Sequence, residues 1–324
     1  MLILNKNHPQ RKGLERFTEV ITPSQAQKAD IRALRLGVLN LMPVMDETEK
    51  DILQSIGYSI LQIEPIWIKI ASRKKTGRHT PLNYVDAFYL TMEEATKQKN
   101  LDGLIVTGAP IELLDFEEVE YWKEMEKIFD YARKNIYSSM FLCWAAMAAA
   151  YHHYGIGKVA YPKKLSGIFR MNNVQQDRHP LTMGMNPEIW VCQSRQTDVD
   201  QEALQNLDSR NKIVRLLESS EQPIALNRRK IGITTFASVG LEEVYNLGHF
   251  EYHENTIDQE VKRDKGNSSE RNYPIENYYA NPDLQEGTPK IFWKSDRTLF
   301  YGNLLNVIYH CINQNKKRHQ EFSL

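Results

Sequence analysis

The chain has 324 residues, 41% hydrophobic and 25% charged, the ordinary balance of a globular protein. Its 41 Lys and Arg offset 41 Asp and Glu at a pI of about 7.1, so there is no net field to attract nucleic acid or an anionic membrane. Three widely spaced cysteines, Cys143, Cys192 and Cys311, exclude a disulfide framework and zinc-finger spacing.

No window approaches the roughly 18–20 apolar residues of a membrane helix. The opening "MLILNKNHPQRKGLERF" has too short an apolar patch and no small-residue cleavage site for a signal peptide. These features together lead us to expect a reduced, soluble, cytoplasmic protein.

Residues 1–33 are polar and aperiodic and read as an N-terminal arm with one helix, leaving 34–324 as a single domain. "LRLGVLNLMP" (34–43) reads as a strand running into a loop at proline, and "DETEKDILQSIGY" (46–58) as a helix. "SILQIEPIWIKIA" (59–71) alternates like a strand. The basic "IASRKKTGRH" (70–79) reads as a solvated loop or, if functional, as a contact for a phosphorylated small molecule. "NLDGLIVTGAP" (100–110) is an apolar strand, and "FEEVEYWKEMEKIFDYARKN" (116–135) has helical spacing. Next come the strand "SSMFLC" and the helix "WAAMAAAYHHYG". In the second half, "IWVCQSR" (189–195), "KIVRLLES" (212–219), "QPIALNRRKIGITTFAS" (222–238) and "EEVYNLGHFEY" (243–252) read as strands. Helices follow at 256–266 and 295–314.

Alternating strands and helices, the strands apolar on both faces, predict a mostly parallel sheet flanked by helices. Ligands of such sheets sit beyond the carboxyl ends of the strands, which places "NLMP", "TGAP" and Cys143 at one rim. A thiol at a strand-to-helix turn is either a buried packing residue or a nucleophile. In "LGHFEY", His249 and Glu251 are two apart, so on an extended chain they face the same way. A histidine oriented by a carboxylate is half of a nucleophilic triad, and Cys143 could supply the other half. A structural histidine beside a surface glutamate remains the alternative. Neither "HFEYH" nor His152-His153 has a zinc-protease pattern, and no phosphate-binding glycine loop is present.

The motifs "LNLMP" with "ETE", "DGLIVTGAP" with "FEEVEYW", "CWAAMAAAYHHYGI", "KLSG", "SRQT", "GHFEY" and "ENYY", in this order over residues 34–313, resemble the homoserine O-acyltransferases of methionine biosynthesis. The resemblance implies a class I glutamine-amidotransferase-like (flavodoxin-like) α/β fold with a C-terminal helical extension. It also implies ping-pong acyl transfer from acyl-CoA, with Cys143 as nucleophile, His249 as base and Glu251 as its orienter. The amides of Trp144 and of the backbone around Leu41 would hold the oxyanion. Arg263 and Glu260 match the residues that grip the amino acid acceptor, Arg195 an arginine at the acceptor site, and Lys164 a lysine near the donor. Glu112 matches the position where Glu accompanies acetyl-CoA and Gly accompanies succinyl-CoA. Homodimers are common in the family. No metal or permanently bound cofactor is implied, and acetyl-CoA enters only as co-substrate.

The chain departs from the family at Met45 (usually Lys), Gln193 (His), Phe250 (Pro) and His253 (Asp), and "WKSD" replaces "WRSH". The expected reaction is acetyl transfer from acetyl-CoA to homoserine. Alternatives are serine O-acetylation for cysteine synthesis, succinyl-CoA as donor, a glutamine-amidotransferase-like hydrolase, and a non-catalytic amino-acid-binding relative.

Overall fold

The computed structural model describes residues 1–29, 31–73, 80–267, 273–281 and 286–313. Most of the basic stretch singled out above, residues 74–79, lies outside them. The centre of the sheet is parallel: Ile63–Lys69, Leu34–Leu39, Gly103–Val106, Ser138–Leu142 and Glu243–Asn246 lie side by side in that order. From Glu243–Asn246 the sheet continues antiparallel through Gly232–Ser238, Ile213–Ser219, Lys158–Asn173 and Glu188–Val199. The parallel strands are buried almost throughout, as their unbroken apolar runs require.

The helices Met45–Ile56, Trp122–Asn135, Trp144–Tyr154 and Lys294–Asn313 flank this sheet and build two large apolar clusters. The last helix packs so closely that a side chain on Gly103 would collide with Ile308. Among the described residues, no helix is long and apolar enough to cross a membrane.

The first residues differ from the expected arm. Leu2–Ile3 and Val20–Ile21 extend the parallel sheet, with Leu2 paired to Ile63. Leu2 is fully buried, so this polar segment is anchored by a few apolar side chains that leave no periodic signal. The strand expected over 243–252 ends at Asn246, and only His249 continues pairing, through a single bridge to Cys192. In 222–238, only Gly232–Ser238 is strand.

Candidate active site

Cys143 ends the buried strand Ser138–Leu142 and caps the helix Trp144–Tyr154, with φ 49° and ψ −113°. This left-handed conformation is rare for a residue with a side chain and is a form of strain that the surroundings must impose. Here the Cys143 amide donates to Asn246 O at 2.7 Å, while Cys143 O accepts from the amides of Ala146 and Met147. Cys143 is 6% exposed, and its thiol reaches the Ser194 carbonyl at 4.0 Å. Gly108 of "TGAP" presses on it, since a Cβ there would lie 3.1 Å from Cys143 Cβ. The Trp144 amide belongs to the first helical turn, whose N–H groups have no partner within the helix. Leu41, expected to add a second oxyanion donor, has its amide engaged by Thr107 Oγ1 at 2.8 Å.

The strand Glu243–Asn246 runs parallel to Ser138–Leu142, with Asn246 opposite Leu142, so its outgoing chain emerges beside Cys143. The Asn246 amide side chain donates to Gly248 O at 3.0 Å, and the His249 amide donates to Cys192 O at 2.8 Å. These bonds hold the "LGHFEY" turn, where Gly248 has no room for a side chain against Gln193. His249 Nδ1 lies 2.6 Å from Glu251 Oε1, and the His249 ring stacks on Tyr252 at 4.1 Å. With Nδ1 engaged, Nε2 is buried without a hydrogen-bond partner. Burial alone would lower the basicity of His249, but the charges of Glu251 and Cys143 outweigh it and raise its pKa well above the usual imidazole value. The structure therefore brings Cys143, His249 and Glu251 together through a turn, in place of the expected strand.

Two cavities of about 440 Å³ each share Arg263, and one of them borders this centre. One is lined by His249, Glu251, Glu260 and Gly108, the other by Glu112, Lys164 and Tyr273. Glu260 accepts hydrogen bonds from Tyr252 at 2.8 Å and from Ser194 Oγ. Burial would raise its pKa, but Lys164 and Arg263 hold it below the usual carboxylate range, so it is charged. Ser194 escaped the sequence reading; its only signal was its place in "SRQT", yet its carbonyl faces the thiol and its hydroxyl holds Glu260. Lys164 Nζ is paired with Asp264 at 2.9 Å.

Arg195 is placed differently from the expectation of a residue open to the acceptor. It is fully buried and lines neither cavity: Nε donates to Gln193 (3.0 Å) and Nη1 meets Asp198 (2.7 Å) and Thr197 O (3.0 Å), while Nη2 has no hydrogen-bond partner among the described residues. The family departures repack coherently. Met45 is a fully buried core residue, Phe250 stacks on Phe300 at 4.7 Å, and Gln193 accepts from Arg195. His253 Nδ1 lies 2.7 Å from Thr256 Oγ1. Asp130, His152 and His153 bring possible metal ligands within 4.8 Å, but these side chains are already bonded to one another or to Glu243 and Tyr245.

A parallel sheet with a cysteine at its rim, facing a His–Glu pair, defines a class I glutamine-amidotransferase-like α/β protein. A glutamine amidotransferase from Thermotoga maritima superposes with a TM-score of 0.54 at 12% identity, covering 86% of this chain and 99% of that one. The glutaminase domain of Trypanosoma brucei CTPS gives 0.50 at 9% identity, covering 89% and 96%. At such identities the likeness is one of fold alone. Sequence goes further: the model of the family described as homoserine O-succinyltransferase matches residues 1–314, and the chain belongs to that acyltransferase family. It is 37% identical over 294 residues to homoserine O-acetyltransferase of Bacteroides fragilis, covering 90% of both chains. To the enzyme of the same name from Thermotoga petrophila it is 37% identical over 295 residues, covering 91% of this chain and 90% of that one.

Proposed function

We propose that the protein transfers an acetyl group from acetyl-CoA to the hydroxyl of homoserine through a thioester on Cys143. The observation that carries this reading is the meeting of Cys143 with the His249–Glu251 pair at the sheet rim. The names of the relatives support the acceptor, and Glu112, in the cavity that shares Arg263 with the one lined by His249, supports the donor.

In the first half-reaction His249 takes the thiol proton, and the Cys143 thiolate attacks the thioester carbonyl. The developing oxyanion sits at the N-terminus of the Trp144–Tyr154 helix, where the Trp144 amide donates to it. The tetrahedral intermediate expels CoA as a thiolate, which receives the proton from His249, leaving acetyl-Cys143. In the second half-reaction neutral His249 takes the proton of the acceptor hydroxyl, whose oxygen attacks the new thioester. Cys143 leaves as thiolate and is reprotonated. Glu251 keeps the imidazole in the tautomer that presents Nε2 and stabilises the imidazolium formed in each half. Arg263 would take the acceptor carboxylate by a forked hydrogen bond and Glu260 its ammonium.

Incubation with acetyl-CoA and no acceptor should leave one acetyl group on the peptide containing Cys143, detected by mass spectrometry. Homoserine should then discharge it faster than serine. An unmodified Cys143 under turnover conditions would overturn the thioester route, and faster discharge by serine would overturn the acceptor.

A further inference from the structure

We propose that a third cavity, between the N-terminal segment, the Met45–Ile56 helix and the start of the Lys294–Asn313 helix, is a binding site for a phosphoryl group. Its volume is about 400 Å³, and its lining contains Arg16, Lys50, Lys294 and Arg297 against a single acid, Glu254. Among the described residues, Arg16, Lys50 and Lys294 have no carboxylate within ion-pair distance.

Arg297 is the more telling residue. It is 3% exposed, and its Nε has no hydrogen-bond partner among the described residues. A buried guanidinium donor left unpaired is costly, unless a ligand supplies the acceptor. The carboxylate that shares its surroundings, Asp51, makes no ion pair with it among the described residues; burial, reinforced by Glu251, holds the Asp51 carboxyl well above its ordinary range against the opposing pull of Arg297. Arg297 also stands in the first turn of a helix running from Lys294 to Asn313, whose unpaired amides and dipole favour an anion at that end. Forked arginine, two lysines and a helix N-terminus together suit a dianionic phosphoryl group better than a single carboxylate.

The site is wired to the triad. Trp293 Nε1 and Arg297 Nη1 both donate to Tyr252 O, at 2.7 and 3.4 Å, and the Tyr252 ring stacks on His249. Lys50 lies on the helix whose other face, through Thr48 and Asp51, lines the triad cavity. Two sources share the required chemistry: the phosphorylated adenosine end of the donor coenzyme, and a separate phosphorylated metabolite.

The test is calorimetric titration of the whole protein with inorganic pyrophosphate. The double variant Lys50→Ala/Lys294→Ala should bind about tenfold or more weakly, because each lysine supplies a charge-assisted bond. Glu254→Gln, which removes the one acid in the lining, should bind more tightly. No binding by the parent protein, or equal binding by parent and double variant, overturns the site. This measurement needs no turnover, so it stands or falls apart from the acyl-transfer reading. The kinetic arms rest on that reading. A higher KM for acetyl-CoA in the double variant, with that for acetyl-pantetheine unchanged, assigns the site to the donor. Unchanged KM for both, with pyrophosphate altering kcat without competing, assigns it to a separate effector.

Discussion

His249 Nδ1 and Glu251 Oε1 stand 2.6 Å apart, with the two residues only 4% and 5% exposed. Water cannot substitute for either partner, so the carboxylate alone fixes the imidazole tautomer. Glu251→Gln keeps the shape but removes the charge and presents an amide to Nδ1. Its kcat should fall by about 10²–10⁴, as for loss of the orienting carboxylate in other triads, with KM nearly unchanged. Alkylation of Cys143 by iodoacetamide should slow in parallel. Normal kcat would mean that Glu251 has only a structural role.

Gly108 touches Cys143, and the space it leaves is small. An added methyl would sit 3.1 Å from Cys143 Cβ and 3.6 Å from Leu142 O. The strand end must give by a few tenths of an ångström, and the thiol moves with it. Gly108→Ala should therefore lower kcat by about 10–10², the scale on which small misplacements tell. Its thermal midpoint should stay near that of the parent. Unchanged turnover would show that the Cys143 turn tolerates the shift.

The parallel half of the fold could be read from the sequence because its strands are continuous apolar runs ended by Pro or Gly, as at Pro43 and Gly108. Lys158–Asn173 could not. It contains Pro162 and several lysines, slips register between Ala160 and Leu165, and at Gly167 is met by the backbone of Glu276. Cys143 and His249 stood out individually, but what joins them is the register of Asn246 against Leu142, which no local pattern encodes. Ser194 and the burial of Arg195 were hidden for the same reason: both depend on what packs across the sheet.

Glu112 lines the cavity that holds Lys164 and Tyr273, and Lys158 Nζ donates to its carbonyl at 3.0 Å. Its backbone is thus pinned beside a cavity into which, on the proposed function, a donor's acyl group would extend. Glu112→Gly removes both the bulk and the negative charge, which together exclude an acyl chain ending in a carboxylate. The ratio of kcat/KM for succinyl-CoA to that for acetyl-CoA should rise by about tenfold or more, a change of about 1.4 kcal/mol. An unchanged ratio would place donor selection elsewhere.

Glu49 of the "ETE" run is fully buried and accepts hydrogen bonds from Tyr84 at 2.6 Å and Tyr89 at 2.7 Å. Burial pushes its carboxyl up to about 7 from 4.5, despite those two bonds. His8, 3.9 Å away, is pushed down by burial to about 4 from 6.5. Between pH 4.5 and about 7 the folded protein keeps a proton on Glu49 that the unfolded chain has released, so stability falls as pH rises through that window. His8 acts the other way: from pH 6.5 down to about 4 the unfolded chain is protonated first, so stability falls as pH drops. Glu49→Gln removes only the first dependence. Relative to the parent, the variant should gain about 3 kcal/mol as pH rises from 4.5 to above 7. Denaturant unfolding of both proteins across that range gives the difference directly, and a pH-independent difference would show that Glu49 is ionised in the fold at all these pH values.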